Sequence, residues 1–116
     1  MSKSITRQEL ASRIQSGNPP VLLEALPERY YAQKHLPGAL LFPHDQVARL
    51  APALMSDRAA EIVVYCASRS CQNSHMAAQH LIQLGYTDVS VYAGGKQDWE
   101  EAGLPFEPGT EAAQAA

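Results

Sequence analysis

The stretch that decides the fold is Ile62-Val63-Val64-Tyr65-Cys66, an apolar run that ends in a cysteine. The polar segment Ala67-Ser68-Arg69-Ser70-Cys71-Gln72-Asn73 follows it, and an amphipathic helix pattern opens at about Ser74. A continuous apolar run of this length is typical of a strand buried on both faces of a parallel sheet. A thiol at the carboxyl end of such a strand faces a helix N-terminus, whose amides favour an anion. That environment lowers a thiol pKa and makes a nucleophile.

Similar apolar runs, separated by helix patterns, recur along the whole chain. Their alternation predicts an α/β fold in three layers, with a central, mainly parallel sheet and helices on both faces. We predict strands at Ile5 and at residues 21–23, 39–42, 62–65 and 89–92. We predict helices that begin after Thr6, at Pro27, after a capping Asp45, at about Ser74 and after Gly94-Gly95.

Chain length and composition bound the class of protein. The chain has 116 residues, of which 46% are hydrophobic and 18% are charged. These values are typical of one folded domain with one hydrophobic core rather than of a disordered chain. We expect this single domain to span residues 1–106. Residues 107–116 are of low complexity, and we expect them to form a flexible tail.

Charge and hydropathy argue against several functions. The formal net charge is -3 with no dense basic patch, which argues against a nucleic-acid partner. No apolar run approaches the roughly 20 residues that cross a membrane, and residues 1–9 lack the apolar core of a signal peptide. We therefore expect a cytoplasmic protein in which Cys66 and Cys71 are reduced at rest. Two such thiols indicate catalytic, redox or metal chemistry before they indicate a structural disulfide.

Three distant segments point at one edge of the predicted sheet. In open α/β sheets the ligand crevice lies beyond the carboxyl ends of the strands. Glu24 ends the second predicted strand, Cys66 ends the central one, and the Gly94-Gly95-Lys96 turn follows the last one. We therefore expect these residues to lie around a common site.

Four segments also carry the pattern of a known family. The segments are Val21-Leu22-Leu23-Glu24, His35-Leu36-Pro37-Gly38-Ala39, Val63-Val64-Tyr65-Cys66, and Leu84-Gly85-Tyr86 followed by Val91-Tyr92-Ala93-Gly94-Gly95 and Trp99. With these segments in this order and spacing, residues 5–106 resemble a single-domain rhodanese. The loop is most similar to that of a bacterial subgroup with a Cys-x4-Cys-x2-Ser loop.

The resemblance implies a rhodanese-like three-layer sandwich and a sulfurtransferase, for which we expect no cofactor. Cys66 would be the catalytic residue and would hold a sulfane sulfur as a persulfide. The donor would be thiosulfate or a persulfide, including a protein persulfide, and the acceptor a thiol or a cyanide-like nucleophile. The loop amides would bind the anionic substrate. These substrate-binding loop residues are Ala67, Ser68, Arg69, Ser70, Cys71, Gln72 and Asn73.

The chain departs from the family at the end of its second strand. The family usually has Asp-x-Arg there, whereas this chain has Glu24 and Leu26. The local salt-bridge partner of the carboxylate is therefore missing. Lys96, which follows the glycine pair, is interpreted as a surface residue, and His35 as a structural residue of the turn before Pro37.

The polar residues around the loop have competing interpretations. Arg69 is the cation inside the loop and would attract an anionic donor, or it is a solvated side chain. Ser74 or Asn73 is interpreted as the cap of the following helix. Cys71 could resolve an oxidised Cys66, receive its sulfur as a second carrier, or be inert.

A zinc site is disfavoured by the helix geometry. Cys66, Cys71, His75 and His80 have a suggestive order, but the two histidines would point about 140° apart on one helix. A tetrahedral site needs converging ligands, so we predict no metal.

Three other functions remain open at this point. Phosphatase or arsenate reductase chemistry requires an arginine at the loop end to bind a tetrahedral oxyanion. This chain has Gln72 and Asn73 in that region. A non-enzymatic persulfide carrier or binding module would load Cys66 without turnover of its own. A thiol redox switch would use a Cys66–Cys71 disulfide.

Overall fold

The computed structural model describes residues 3–109 and contains a five-stranded parallel sheet. The strand order is β1-β5-β4-β2-β3, which places β4, the strand that leads to Cys66, at the centre. The strands are β1 (Lys3–Ser4), β2 (Val21–Glu24), β3 (Leu40–Leu41), β4 (Ile62–Tyr65) and β5 (Val89–Tyr92). The helices are α1 (Arg7–Gln15), α2 (Glu28–Gln33), α3 (Val47–Leu54), α4 (Asn73–Gln83) and α5 (Gly95–Glu101).

Helices cover both faces of the sheet, as the sequence predicts. On one face α3 and α4 pack their buried residues against the strands, and on the other face α1, α2 and α5 do so. All four residues of β4 are buried, because that strand has helices on both sides. The three-layer α/β architecture with a parallel sheet is therefore confirmed.

Local capping explains one helix boundary and fails to explain two others. Thr6 caps α1, with Glu9 as its reciprocal partner in a capping box. The prediction that Asp45 caps α3 is wrong, because that helix begins after Gln46, which makes no side-chain capping bond. The prediction of Ser74 or Asn73 as the cap of α4 is also wrong. Gln72 precedes this helix and its side chain makes no capping bond.

The start of α5 docks directly onto the chain that leaves β4. The Lys96 amide donates to the Cys66 carbonyl over 3.0 Å, and the Gln97 amide donates to the Ala67 carbonyl over 2.9 Å. Gly95 allows this approach, because its φ is +63° and a Cβ there would overlap the Cys66 carbonyl oxygen. The last helix therefore holds the first two carbonyls of the cysteine loop.

The chain beyond α5 returns to the turn before β3. Glu107 forms an isolated antiparallel bridge with His35, and the Gly109 amide donates to the Ala32 carbonyl over 2.9 Å. The rest of the predicted tail, residues 110–116, lies outside the described residues, so the domain boundary at 106 stays a prediction. In the described part of the chain, no helix has both the length and the apolar character needed to cross a membrane.

We expect Gly95→Ala to destabilise the protein much more than Gly17→Ala. Both glycines have positive φ, but nothing lies within 4 Å of a Cβ at Gly17, whereas a Cβ at Gly95 overlaps the Cys66 carbonyl. Both variants place an alanine at positive φ, so the difference between their losses of stability measures the cost of the close approach at Gly95. Urea unfolding should show a loss of about 1–2 kcal/mol for Gly17→Ala and at least twice that for Gly95→Ala. Equal losses would mean that α5 can move away from the loop at little cost.

Candidate active site

Cys66 occupies the predicted position beyond the carboxyl end of β4. Its neighbours across the sheet are the ends of β2 and β5, since Tyr65 pairs in register with Glu24 on one side and Tyr92 on the other. Cys66 is buried, with 2% of its surface exposed. The edge that the sequence predicts as the ligand crevice therefore contains the cysteine.

The structure joins Cys66 to Cys71 in a disulfide. Their Cα atoms are 6.4 Å apart, within the range that a disulfide can span. The loop reaches this geometry through a tight turn, in which the Cys71 amide donates to the Ser68 carbonyl over 3.1 Å. The expectation of two reduced thiols at rest thus differs from the state that the structure contains. The roles of Cys71 as resolving residue or second sulfur carrier stay predictions.

Ser74 is the residue that sequence reasoning placed in the wrong role. Its hydroxyl oxygen lies 3.4 Å from the Cys66 Sγ, and its side chain is 1% exposed. Because α4 begins one residue earlier than predicted, Ser74 turns inward to the cysteine and does not cap the helix. The Ser eight positions after Cys66 was visible in the sequence, but a serine at a helix start is more often a cap.

Most backbone amides of the loop donate no hydrogen bond to a described residue. Within residues 3–109, the Cys71 amide is the one amide of loop residues 67–72 that donates to a protein oxygen. The carbonyls of Cys66 and Ala67 are held by α5, which restrains the loop from behind. Unpaired loop amides beside the first turn of α4 form an environment that favours a bound anion.

Glu24 and Lys96 form a buried ion pair beneath the loop. The Lys96 Nζ lies 2.8 Å from the Glu24 carboxylate and also donates to the Tyr30 carbonyl over 2.9 Å. The Tyr65 hydroxyl donates to the other carboxylate oxygen over 2.7 Å. Glu24 has no exposed side-chain surface and Lys96 only 11%. The interpretation of Lys96 as a surface residue is therefore wrong, and Lys96 supplies the cation that is missing at Leu26.

Burial and pairing have opposite effects on the pKa values of Glu24 and Lys96. Desolvation raises the pKa of the Glu24 carboxyl, while the hydrogen bonds from Lys96 and Tyr65 lower it. Desolvation likewise lowers the pKa of Lys96, and Glu24 opposes that change. Burial first, and the Glu24 charge second, raise the pKa of Tyr65 well above its usual value. Tyr65 therefore stays a hydrogen-bond donor to the carboxylate.

Arg69 is exposed on the loop and makes no hydrogen bond or ion pair with a described residue. It lines two adjoining cavities of about 370 Å³ each, together with Gly94 and Asp98. The Asp98 carboxylate is already engaged by Arg7 at 2.9 Å and by the Tyr92 hydroxyl at 2.7 Å. The Arg69 guanidinium is thus available to an anion in solution.

His35 has the structural environment that the sequence predicts. It is buried, its ring stacks on Tyr31 with centroids 3.9 Å apart, and its Nδ1 lies 3.0 Å from the Tyr31 carbonyl oxygen.

Among residues 3–109, no group of three or more His, Cys, Asp or Glu side chains is arranged to hold a metal ion. The groups that surround the Cys66 sulfur are Cys71, the loop amides and the Ser74 hydroxyl.

Comparisons with known proteins agree with the fold of this chain. A model of the rhodanese-like domain matches residues 6–102. Over 106 residues the chain is 32% identical to an HTH-type transcriptional regulator of Mycobacterium tuberculosis, covering 91% of this chain and 45% of the regulator. It is 31% identical to a sulfurtransferase of Allochromatium vinosum, covering 91% of this chain and 95% of that protein. The solution structure of a rhodanese-like domain from Anabaena is 27% identical, with a TM-score of 0.81 over 100% of this chain and 86% of that one.

We expect Lys96→Met to be far more costly than Lys34→Met. Lys34 forms an ion pair of the same 2.8 Å length with Glu100, but both of those side chains are largely exposed. Removing Lys96 leaves the Glu24 charge buried and unpaired, which should cost about 3–5 kcal/mol, whereas an exposed pair contributes under about 1 kcal/mol. Chemical unfolding of both variants measures the difference.

The Lys96→Met defect should also shrink as the pH is lowered. The pKa of the Glu24 carboxyl is raised by burial above its ordinary value of 4.5, so the folded variant binds a proton more tightly than the unfolded chain. Protonation therefore restores stability as the pH falls toward 4.5. The double variant Glu24→Gln/Lys96→Met should recover much of the loss at neutral pH. Equal losses for the two lysine variants would contradict a buried charge pair.

Proposed function

The chain belongs to the family of rhodanese-like domains, and we propose that it is a sulfurtransferase in which Cys66 carries the transferred sulfur as a persulfide. The donor is thiosulfate or a persulfide, and the acceptor is a thiol or a cyanide-like nucleophile. The observation that carries the proposal is the position of Cys66, at the end of the central strand and beside loop amides most of which have no acceptor in residues 3–109.

Loading of Cys66 proceeds from the reduced protein. The Cys66 thiolate attacks the sulfane sulfur of thiosulfate, a new S–S bond forms, and sulfite leaves with the electron pair of the broken S–S bond. An acceptor thiolate or cyanide then attacks the outer sulfur of the persulfide. The electron pair of that bond returns to Cys66 as its thiolate, which closes the cycle.

Each step needs an anion to be stabilised next to Cys66. The thiolate, the persulfide and thiosulfate are all negatively charged. The free amides of the loop and the first turn of α4 supply oriented dipoles that need not reorganise during the reaction. The Ser74 hydroxyl, 3.4 Å from the sulfur, can donate a hydrogen bond to the thiolate. These contacts stabilise negative charge on the sulfur of a reduced Cys66.

A non-enzymatic persulfide carrier is the second candidate. The chain spans 45% of the length of a transcriptional regulator, so a region similar to this chain is combined with other functions in that protein. A carrier would accept sulfur from a protein persulfide but would not be loaded by free thiosulfate. Sulfite release from thiosulfate therefore distinguishes the enzyme from the carrier.

We expect Cys66→Ser to abolish sulfite release while the protein stays folded. Serine is close to cysteine in size, but its hydroxyl cannot form a persulfide. Reduced protein is mixed with thiosulfate and a thiol acceptor, sulfite is quantified, and circular dichroism reports the fold. Turnover of Cys66→Ser at the wild-type rate would remove Cys66 as the nucleophile.

We expect Arg69→Ala to raise KM for thiosulfate several-fold, with a smaller effect for an uncharged donor. The guanidinium attracts the sulfonate oxygens, and an exposed pairing of this kind contributes about 1 kcal/mol. Added salt should reproduce part of the defect in the wild type, since screening weakens the same attraction. Arg58→Ala is the matched control, because it removes the same charge at a residue that contacts Leu84 and Tyr86, away from the loop. An equal loss for both kinds of donor would mean that Arg69 shapes the loop instead.

A further inference from the structure

The disulfide partner of Cys66 lies on the same loop that would bind the substrate. Cys71 is partly exposed, while Cys66 is buried with 2% of its surface accessible. The turn between Ser68 and Cys71 brings the two sulfur atoms into bonding contact while α5 holds the carbonyls of Cys66 and Ala67. The folded loop thus permits attack by the Cys71 sulfur on the Sγ of Cys66.

We propose that Cys71 discharges the Cys66 persulfide as hydrosulfide and leaves the Cys66–Cys71 disulfide as the product. This inference rests on the proposed persulfide of Cys66. The Cys71 thiolate attacks the inner sulfur, which is the Sγ of Cys66, and the Sγ–Sγ bond forms. The bond between Sγ and the outer sulfur breaks, and its electron pair leaves with hydrosulfide. The persulfide is an anion, so its outer sulfur takes up the proton that the Cys71 thiol releases, and hydrosulfide leaves rather than sulfide.

The contacts of Cys66 favour attack at the inner sulfur over transfer of the outer one. The bond that the structure contains is to the Cys66 Sγ, so Cys71 approaches this atom and need not reach a sulfur beyond it. The Cys71 carbonyl oxygen also lies 3.4 Å from the same Sγ, so the backbone of Cys71 lies beside that sulfur. Hydrosulfide is a weaker base than an alkyl thiolate, and a less basic sulfur leaves faster.

A thiol reductant is needed to restart the cycle, and the difference in burial determines where it attacks. Cys66 is almost fully covered, so an external thiolate reaches the sulfur of Cys71 first. That attack forms a mixed disulfide on Cys71 and releases Cys66 as a thiolate. A second thiolate then attacks the sulfur of the reductant in the mixed disulfide and frees Cys71. In total, two thiols are oxidised to one disulfide for each hydrosulfide released.

A single-turnover experiment without reductant tests this inference. Wild-type protein and Cys71→Ser are reduced, freed of reductant under anaerobic conditions and mixed with excess thiosulfate. Sulfite and hydrosulfide are quantified, and the intact mass is measured. The wild type should release one equivalent each of sulfite and hydrosulfide and end lighter than the dithiol form by two hydrogens. Cys71→Ser should release sulfite, stay heavier by one sulfur atom, and release hydrosulfide more slowly by over an order of magnitude.

The possible failures have different meanings. If neither protein releases sulfite, the proposed loading of Cys66 has failed. If both release sulfite but the wild type keeps the extra sulfur on Cys66, Cys71 does not discharge the persulfide and the inference is wrong. Peptide mapping that finds the extra sulfur on Cys71 would show sulfur relay instead and would also overturn it. If Cys71→Ser does not fold, the wild-type products and Cys71→Ala decide the question by the same criteria.

Discussion

The buried carboxylate of Glu24 is the constraint on which the site depends. A charge with no exposed surface is costly unless an opposite charge and hydrogen bonds compensate it. Lys96 and Tyr65 provide both: Tyr65 directly precedes Cys66, and Lys96 lies in the first turn of α5, which packs against the cysteine loop. Because the Lys96 amide also binds the Cys66 carbonyl, the compensation of this charge fixes α5 against the loop.

The same packing restrains the loop in which we propose the sulfur chemistry. The loop is anchored at its start by α5 and at its end by α4, so its amides and Cys71 are held around one sulfur atom. Ser74 completes this environment from the first turn of the helix. A loop restrained at both ends loses little further entropy when it binds an anion, which is the condition for preorganised electrostatic stabilisation. The packing that restrains the loop therefore also supports the reactivity that we propose for Cys66.

Local sequence signals predicted some features correctly and failed at others for identifiable reasons. The start of α1 after Thr6 was predicted correctly, because the cap and its partner Glu9 lie within four residues of sequence. Ser74 was assigned by the same logic and misread, because its hydroxyl is oriented to Cys66 and not to the helix amides. Lys96 was misread because a lysine is usually exposed, and only the approach of β2 gives it a buried partner.

The sequence by itself determined the layered parallel sheet and the cysteine at its carboxyl edge. Hydrophobic periodicity and strand length are local properties, and a parallel sheet places all strand ends of one kind on one edge. Only the tertiary structure decided that Lys96 replaces the cation missing at Leu26 and that Cys71 bonds to Cys66. Those contacts depend on the packing of α5 and on the path of the loop, and no local pattern encodes the distance between side chains that long-range packing brings together.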